Sequence, residues 1–113
     1  MGRILMATIL FPIFVIEGLD IVAFNSIEAA EQFLEPWWVK EKLGKVYDSE
    51  GRLLELIAED STVKISSSEE IPMHISELRK ILFNFLKITR NDQCLDTNHE
   101  LSYLVKEVLK IIK

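Results

Sequence analysis

The hydrophobic positions along this chain change their period twice. Near the N-terminus they come as continuous runs. "ILMATILFPIFVI", Ile4 to Ile16, contains no charged residue, and a second apolar stretch from Leu19 to Phe24 follows Glu17-Gly18. Short runs rich in β-branched and aromatic residues predict strands. Phe11–Ile16 and Leu19–Phe24 form either a tight hairpin, with Gly18 supplying a positive φ, or one long bulged strand; the hairpin is the preferred reading.

The spacing then turns helical. In "NSIEAAEQFLEP" the residues Ile27, Ala30, Phe33 and Leu34 fall on one face. Asn25 or Ser26 can cap that helix, and Glu28 and Glu31 sit near its positive end. Pro36 ends it by disfavouring αR at Glu35, which places Glu28, Glu31 and Glu35 along one outer edge. Trp37–Val39 is a short strand candidate. Lys45–Asp48 and Arg52–Glu59 flank "DSEG", whose Asp at the first position and Gly at the fourth are the preference of a type I turn. "RLLELIAE" reads as a central strand. "TVKIS", Thr62–Ser66, alternates as a half-buried edge strand does, and "SSSEE" is a loop.

Two amphipathic helices close the chain. Ile75, Leu78, Ile81, Leu82, Phe85 and Ile88 keep a 3.6-residue period in the first, and Leu101, Leu104, Val105, Val108, Leu109 and Ile112 do so in the second. Both stripes read as core. Lys110 and Lys113 suit the negative end of the last helix. The expectation is a single α+β domain over 1–113, in the order β-β-α-β-β-β-α-α. A small antiparallel sheet is packed by one helix from the N-terminal half and two C-terminal helices.

With 113 residues, 49% hydrophobic and 27% charged, the chain has the composition of one globular domain with a modest core. The net charge of -5 argues against the broad basic surface that a nucleic-acid binder needs. The charge is uneven: residues 17–70 carry a net of -8 and residues 71–113 a net of +2. The plain reading is a solvated surface; the sharper one is an acidic face steering a basic partner. The apolar N-terminal run lacks the small-residue cleavage site of a signal peptide and is too short to span a bilayer as a helix, so no membrane role is expected. The one cysteine, Cys94, allows no intramolecular disulfide and fits a reducing compartment, the cytoplasm.

Signals for catalysis are absent. The sequence has no GxSxG, GxGxxG, P-loop, CxxC or HExxH, so neither a metal nor a cofactor is expected. Cys94 with His99 nearby is a formal nucleophile–base pair, but its flanks Asn91, Asp92 and Gln93 read as a loop between helices. Asp92 and Asp96 read as turn and capping residues, and His74 and His99 as surface residues at helix starts. What remains is the acidic half, where Trp37, Trp38 and Tyr47 are interleaved with Glu31, Glu35, Asp48 and Glu50. Tryptophan and tyrosine are enriched at interface hot spots, and these seven residues form the candidate partner-binding set. The competing reading buries both tryptophans, one under the helix and one under another element.

Three stretches carry a resemblance. "DIVAFNSIEAAEQFLEPWWVK", "KVYDSEGRLLEL" and "IPMHISELRKILFNFLK" resemble a family of small bacterial proteins encoded beside polymorphic toxins, among them proteins similar to contact-dependent growth inhibition immunity proteins. The resemblance spans about residues 19–90 and departs from the family pattern at the bulky "WWVK". It implies a cytoplasmic, non-enzymatic protein that binds and blocks a cognate toxin domain, often a nuclease, whose phosphate-binding site carboxylates can occupy. The alternatives are a structural or oligomeric adaptor and, further off, a small hydrolase using His74, His99 or Cys94. Monomer and dimer both remain open.

Overall fold

The computed structural model describes residues 8–90 and 98–112. Two strands open the fold, β1 (Ile13–Glu17) and β2 (Asp20–Phe24), paired antiparallel with Glu17 opposite Asp20. The expected hairpin is therefore present. Its turn is Gly18-Leu19, and Gly18 takes φ 60°, the positive value that a two-residue turn needs at its first central position.

Helix α1 (Ile27–Phe33) follows, capped by Ser26, whose Oγ accepts the N–H of Ala29 at 3.1 Å. Glu35 is extended, as a residue before proline should be, and α1 has already ended at Phe33. Pro36 then opens a further helix, α2 (Pro36–Lys40). The strand expected at Trp37–Val39 is corrected to this helical turn. The reason is local: proline cannot continue α1, yet its fixed φ suits the first position of a new helix.

Three short strands come next: β3 (Lys45–Tyr47), β4 (Glu55–Ala58) and β5 (Val63–Ser66). The "DSEG" turn forms as expected, with Gly51 N–H donating to Asp48 O at 3.2 Å. Helices α3 (Ile75–Thr89) and α4 (Leu101–Ile112) complete the chain. The expected order thus gains one short helix.

The strands divide into two antiparallel sheets. One has the order β2-β1-β3, and the other pairs β4 with β5. "RLLELIAE" is not a central strand: only Glu55–Ala58 is strand, alternately exposed and half-buried, with Ile57 facing out. The central strand is β1, whose Ile13, Phe14, Val15 and Ile16 are all buried. Because side chains alternate across a strand, β1 supplies two cores. Phe14 and Ile16 join Ile21, Tyr47 and the inner stripes of α3 and α4. Ile13 and Val15 join Val46, Ala30, Leu34, Trp38, Leu54, Val63 and Ile65 on the opposite face. Covering β1 on both sides explains its continuous apolar run. Among the described residues no helix is long and apolar enough to cross a membrane.

Candidate protein-binding face

The adjacent tryptophans separate because they sit on a helical turn, 100° apart rather than on opposite faces of a strand. Trp38 points into the second core with 8% exposure, and Trp37 is 56% exposed. The Trp38 indole N–H donates to Glu17 Oε1 at 2.9 Å, satisfying its one polar atom. Its ring lies so close to Gly44 that a Cβ there would sit 2.4 Å from Cζ2 and 2.3 Å from the Ile16 carbonyl oxygen. Gly44 is therefore required by close approach.

Trp37 borders a groove of about 490 Å³ between the β1–β2 hairpin and the α1–α2 junction. Val22, Phe33 and Trp37 line it with exposed apolar surface. Glu17, Asp20 and Glu35 also line it, and no Lys or Arg does. Phe33 also contacts the Phe24 ring at 5.2 Å, which fixes its orientation. Phe33 falls on the apolar face that the spacing predicts, yet it is 53% exposed; α1 is short, and its buried positions are Ala30 and Leu34 beyond its end.

The other sequence-derived candidates go elsewhere. Tyr47 and Asp48 are fully buried and offer no surface to a partner. The Tyr47 hydroxyl donates to Glu77 Oε2. Asp48 accepts the N–H groups of Leu10, Glu50 and Arg52 and the Arg52 Nη1 group, at 2.9–3.1 Å. Its carboxylate is an internal bracket for the turn. Glu50 pairs with Arg52 at 2.5 Å while its side chain remains 46% exposed. Glu31 is half-buried and accepts the Ile65 N–H of β5 at 2.8 Å, so it ties α1 to the second sheet. Glu28, Glu31 and Glu35 do share the lining of one shallow depression, with Lys64 across it. Of the seven candidates, Trp37, Trp38 and Glu35 line this groove, with Trp38 buried and the other two exposed. Val22, Phe33, Glu17 and Asp20 join them there and were not singled out as site residues by the sequence; the polar–apolar–apolar start of "DIV" was the available signal for Val22.

Arg52 is bound through all three of its side-chain nitrogens. Nε donates to Glu69 O at 2.9 Å and Nη2 to Glu70 O at 3.0 Å, while Nη1 meets Asp48 and Glu50. Burial opposes its charge, but hydrogen bonds and Coulombic attraction from Glu50 and Asp48 outweigh that and raise its pKa above the ordinary value. Glu69 completes the bracket by accepting from Leu53 N–H and Met73 N–H, with Oε2 2.8 Å from His74 Nδ1.

A larger cleft of about 700 Å³ lies beside Gly44, between β3, Leu53–Leu56 and α3. Three of its polar groups engage each other: Glu77 Oε2 accepts from Tyr47 and lies 3.2 Å from Lys45 Nζ. That trio fastens β3 to α3, whereas the smaller groove leaves a tryptophan and a phenylalanine facing solvent, and for this reason the groove is the better candidate. Among the described residues no group of three or more His, Cys, Asp or Glu could hold a metal ion. His74 Nδ1 lies 2.8 Å from Glu69 Oε2, and His99 stacks on Tyr103 at 4.0 Å. Cys94, with Asn91, Asp92, Gln93 and Asp96, lies outside the described residues, as do Arg3 and Lys113. Comparison with family models, with curated proteins and with solved structures returns no match.

Proposed function

We propose that this chain is a non-catalytic inhibitor of the immunity type, which binds a basic toxin domain through the Trp37 face. The observation that carries the reading is the exposed Trp37 beside exposed Phe33, on a groove whose charged lining residues, Glu17, Asp20 and Glu35, are all acidic. A large aromatic surface held by folded structure is what a hot spot needs, since little side-chain freedom is lost on binding. Acidic residues around it speed encounter with a positive surface and disfavour negative ones. The sequence resemblance supplies the partner class. The test is to purify the toxin domain encoded beside this chain's gene and measure inhibition of its activity. Trp37→Ala should weaken inhibition by about 30-fold, the equivalent of a 2 kcal/mol hot spot. A neighbouring toxin that keeps full activity in excess of this protein would overturn the reading.

A second reading, a structural adaptor, is favoured by one other observation. Ile71 and Met73 are each 74% exposed on the loop that Arg52 fastens through Glu69 and Glu70. Light scattering on wild type and on the Ile71→Ser, Met73→Ser variant separates the two: self-assembly lost in the variant favours the adaptor.

A further inference from the structure

The strand that borders the groove is also the rim of its sheet. In the order β2-β1-β3, β2 is terminal, and among the described residues no strand pairs with its outer edge. Its pairing with β1 runs without a bulge through all five positions. The register fixes which backbone groups face outward. A two-residue turn closes on a pair that exchanges both hydrogen bonds, here Glu17 and Asp20, and bonded pairs recur at every second position. Val22 and Phe24 are therefore bonded to Val15 and Ile13, while Ile21 and Ala23 direct N–H and C=O away from the sheet. Ile21 has its side chain in the core. It also lines the groove.

Edge strands in monomeric proteins are usually blunted by lysine, proline or a bulge. "DIVAF" has none of these; its one charge is Asp20, next to the turn. An open regular edge beside exposed aromatic surface is the geometry of strand addition, in which main-chain bonds give affinity and alternate side chains give selectivity.

We infer that β2 accepts an extended segment of the partner protein as a fourth strand. Ile21 and Ala23 supply the main-chain hydrogen bonds, and alternate side chains of the segment enter the groove at Val22, Phe33 and Trp37. The segment carries lysine or arginine, because Glu17, Asp20 and Glu35 line the groove with no cation among them. This rests on the Trp37 face being the partner-binding face, and it adds how the partner is held.

The probe is a blocked eight-residue peptide alternating valine and lysine, with two derivatives N-methylated on one or the other set of alternate amides. On binding the parent peptide, hydrogen exchange at the Ile21 and Ala23 amides should slow at least tenfold, with little change at Val22. One N-methylated derivative should bind at least tenfold more weakly and the other like the parent. Ala23→Pro should lose the peptide while keeping its circular dichroism spectrum, since that N–H makes no bond within the sheet. Equal binding of both derivatives without protection at Ile21 and Ala23 would overturn strand addition and leave the Trp37 face standing. Absence of parent-peptide binding at millimolar concentration would also overturn it. So would protection of the same amides in a dimer of the protein alone, which would make a second copy the occupant. Protection that persists in Trp37→Ala would support strand addition and count against Trp37 as the anchor.

Discussion

The indole nitrogen of Trp38 and Oε1 of Glu17 are 2.9 Å apart, joining α2 to the last residue of β1 across 21 positions of sequence. That bond anchors the helical turn on which the neighbouring Trp37 is presented to solvent. The two tryptophans should therefore behave oppositely. Trp38→Ala should cost about 3–5 kcal/mol of stability, as large-to-small changes of buried aromatics do, and Trp37→Ala should stay within about 0.5 kcal/mol. Urea unfolding of both variants measures the difference, and equal losses would mean that Trp37 is also core.

Gly44 should tolerate no side chain. Gly44→Ala places a Cβ 2.3 Å from the Ile16 carbonyl oxygen and 2.4 Å from the Trp38 ring. A loss of about 1–3 kcal/mol is expected from overpacking. Gly18→Ala meets open space, and its cost comes from φ 60° alone, about 1 kcal/mol. Thermal unfolding of the pair checks the ranking.

Arg52 and Asp48 form a buried pair, at 6% and 0% exposure, with Arg52 Nη1 3.0 Å from Asp48 Oδ2. Removing one partner strands the other, so Arg52→Ala and Asp48→Ala should each cost about 3–5 kcal/mol. Arg52→Lys keeps the charge but cannot reach Asp48 and both the Glu69 and Glu70 carbonyls in one planar arrangement. It should loosen the loop carrying Ile71 and Met73, seen as faster hydrogen exchange at 69–73 before global unfolding is affected.

Glu107 of α4 accepts from Lys110 at 2.9 Å and from Arg90, at the end of α3, at 2.7 Å. Those two bonds lower its pKa, against desolvation that acts the other way. The folded state therefore binds this proton less readily than the unfolded chain. The contribution is complete above the ordinary glutamate value of about 4.3 and is lost as pH falls through the lower folded value. Wild type and Glu107→Gln should differ at neutral pH, begin to converge as pH drops below about 4.3, and converge fully only below the lower folded value. The difference should also shrink with salt, because the pair is near solvent.

Much of this fold is legible in the sequence, for reasons that residues make plain. Helices α3 and α4, of 15 and 12 residues, are long enough for the helical period to stand out, and Leu78, Leu82, Phe85, Leu104, Val105 and Val108 are on their buried faces, while Ile75 and Ile88 at the two ends of the first stripe are exposed. Gly18, Ser26 and the Asp48–Gly51 turn work through local chemistry, so they read correctly without tertiary information. Helix α2 does not, because five residues are too few to show a period and Trp and Val favour strands when taken alone. The division of the strands into two sheets depends on long-range pairing, such as Val15 opposite Val46, which no local pattern announces. Asp48 shows the same limit at the candidate site. An aspartate at a turn's first position looks identical whether its carboxylate faces water or a guanidinium, and only the fold reveals that it is fully buried. Phe33 fits an apolar face by spacing, yet that face is wider than the surface available to cover it.

The most direct test of the central claim is stopped-flow association of this protein with a toxin domain of the kind the proposed function requires, at ionic strengths from 0.05 to about 0.5 M, where surface charges become screened. For wild type the association rate should fall steeply as salt rises while the dissociation rate changes little. Glu35→Lys should slow association and flatten that salt dependence, and Trp37→Ala should leave association nearly unchanged but speed dissociation about 30-fold. An association rate indifferent to salt, together with wild-type kinetics in both variants, would place the interface away from the Trp37 face and contradict the proposed function.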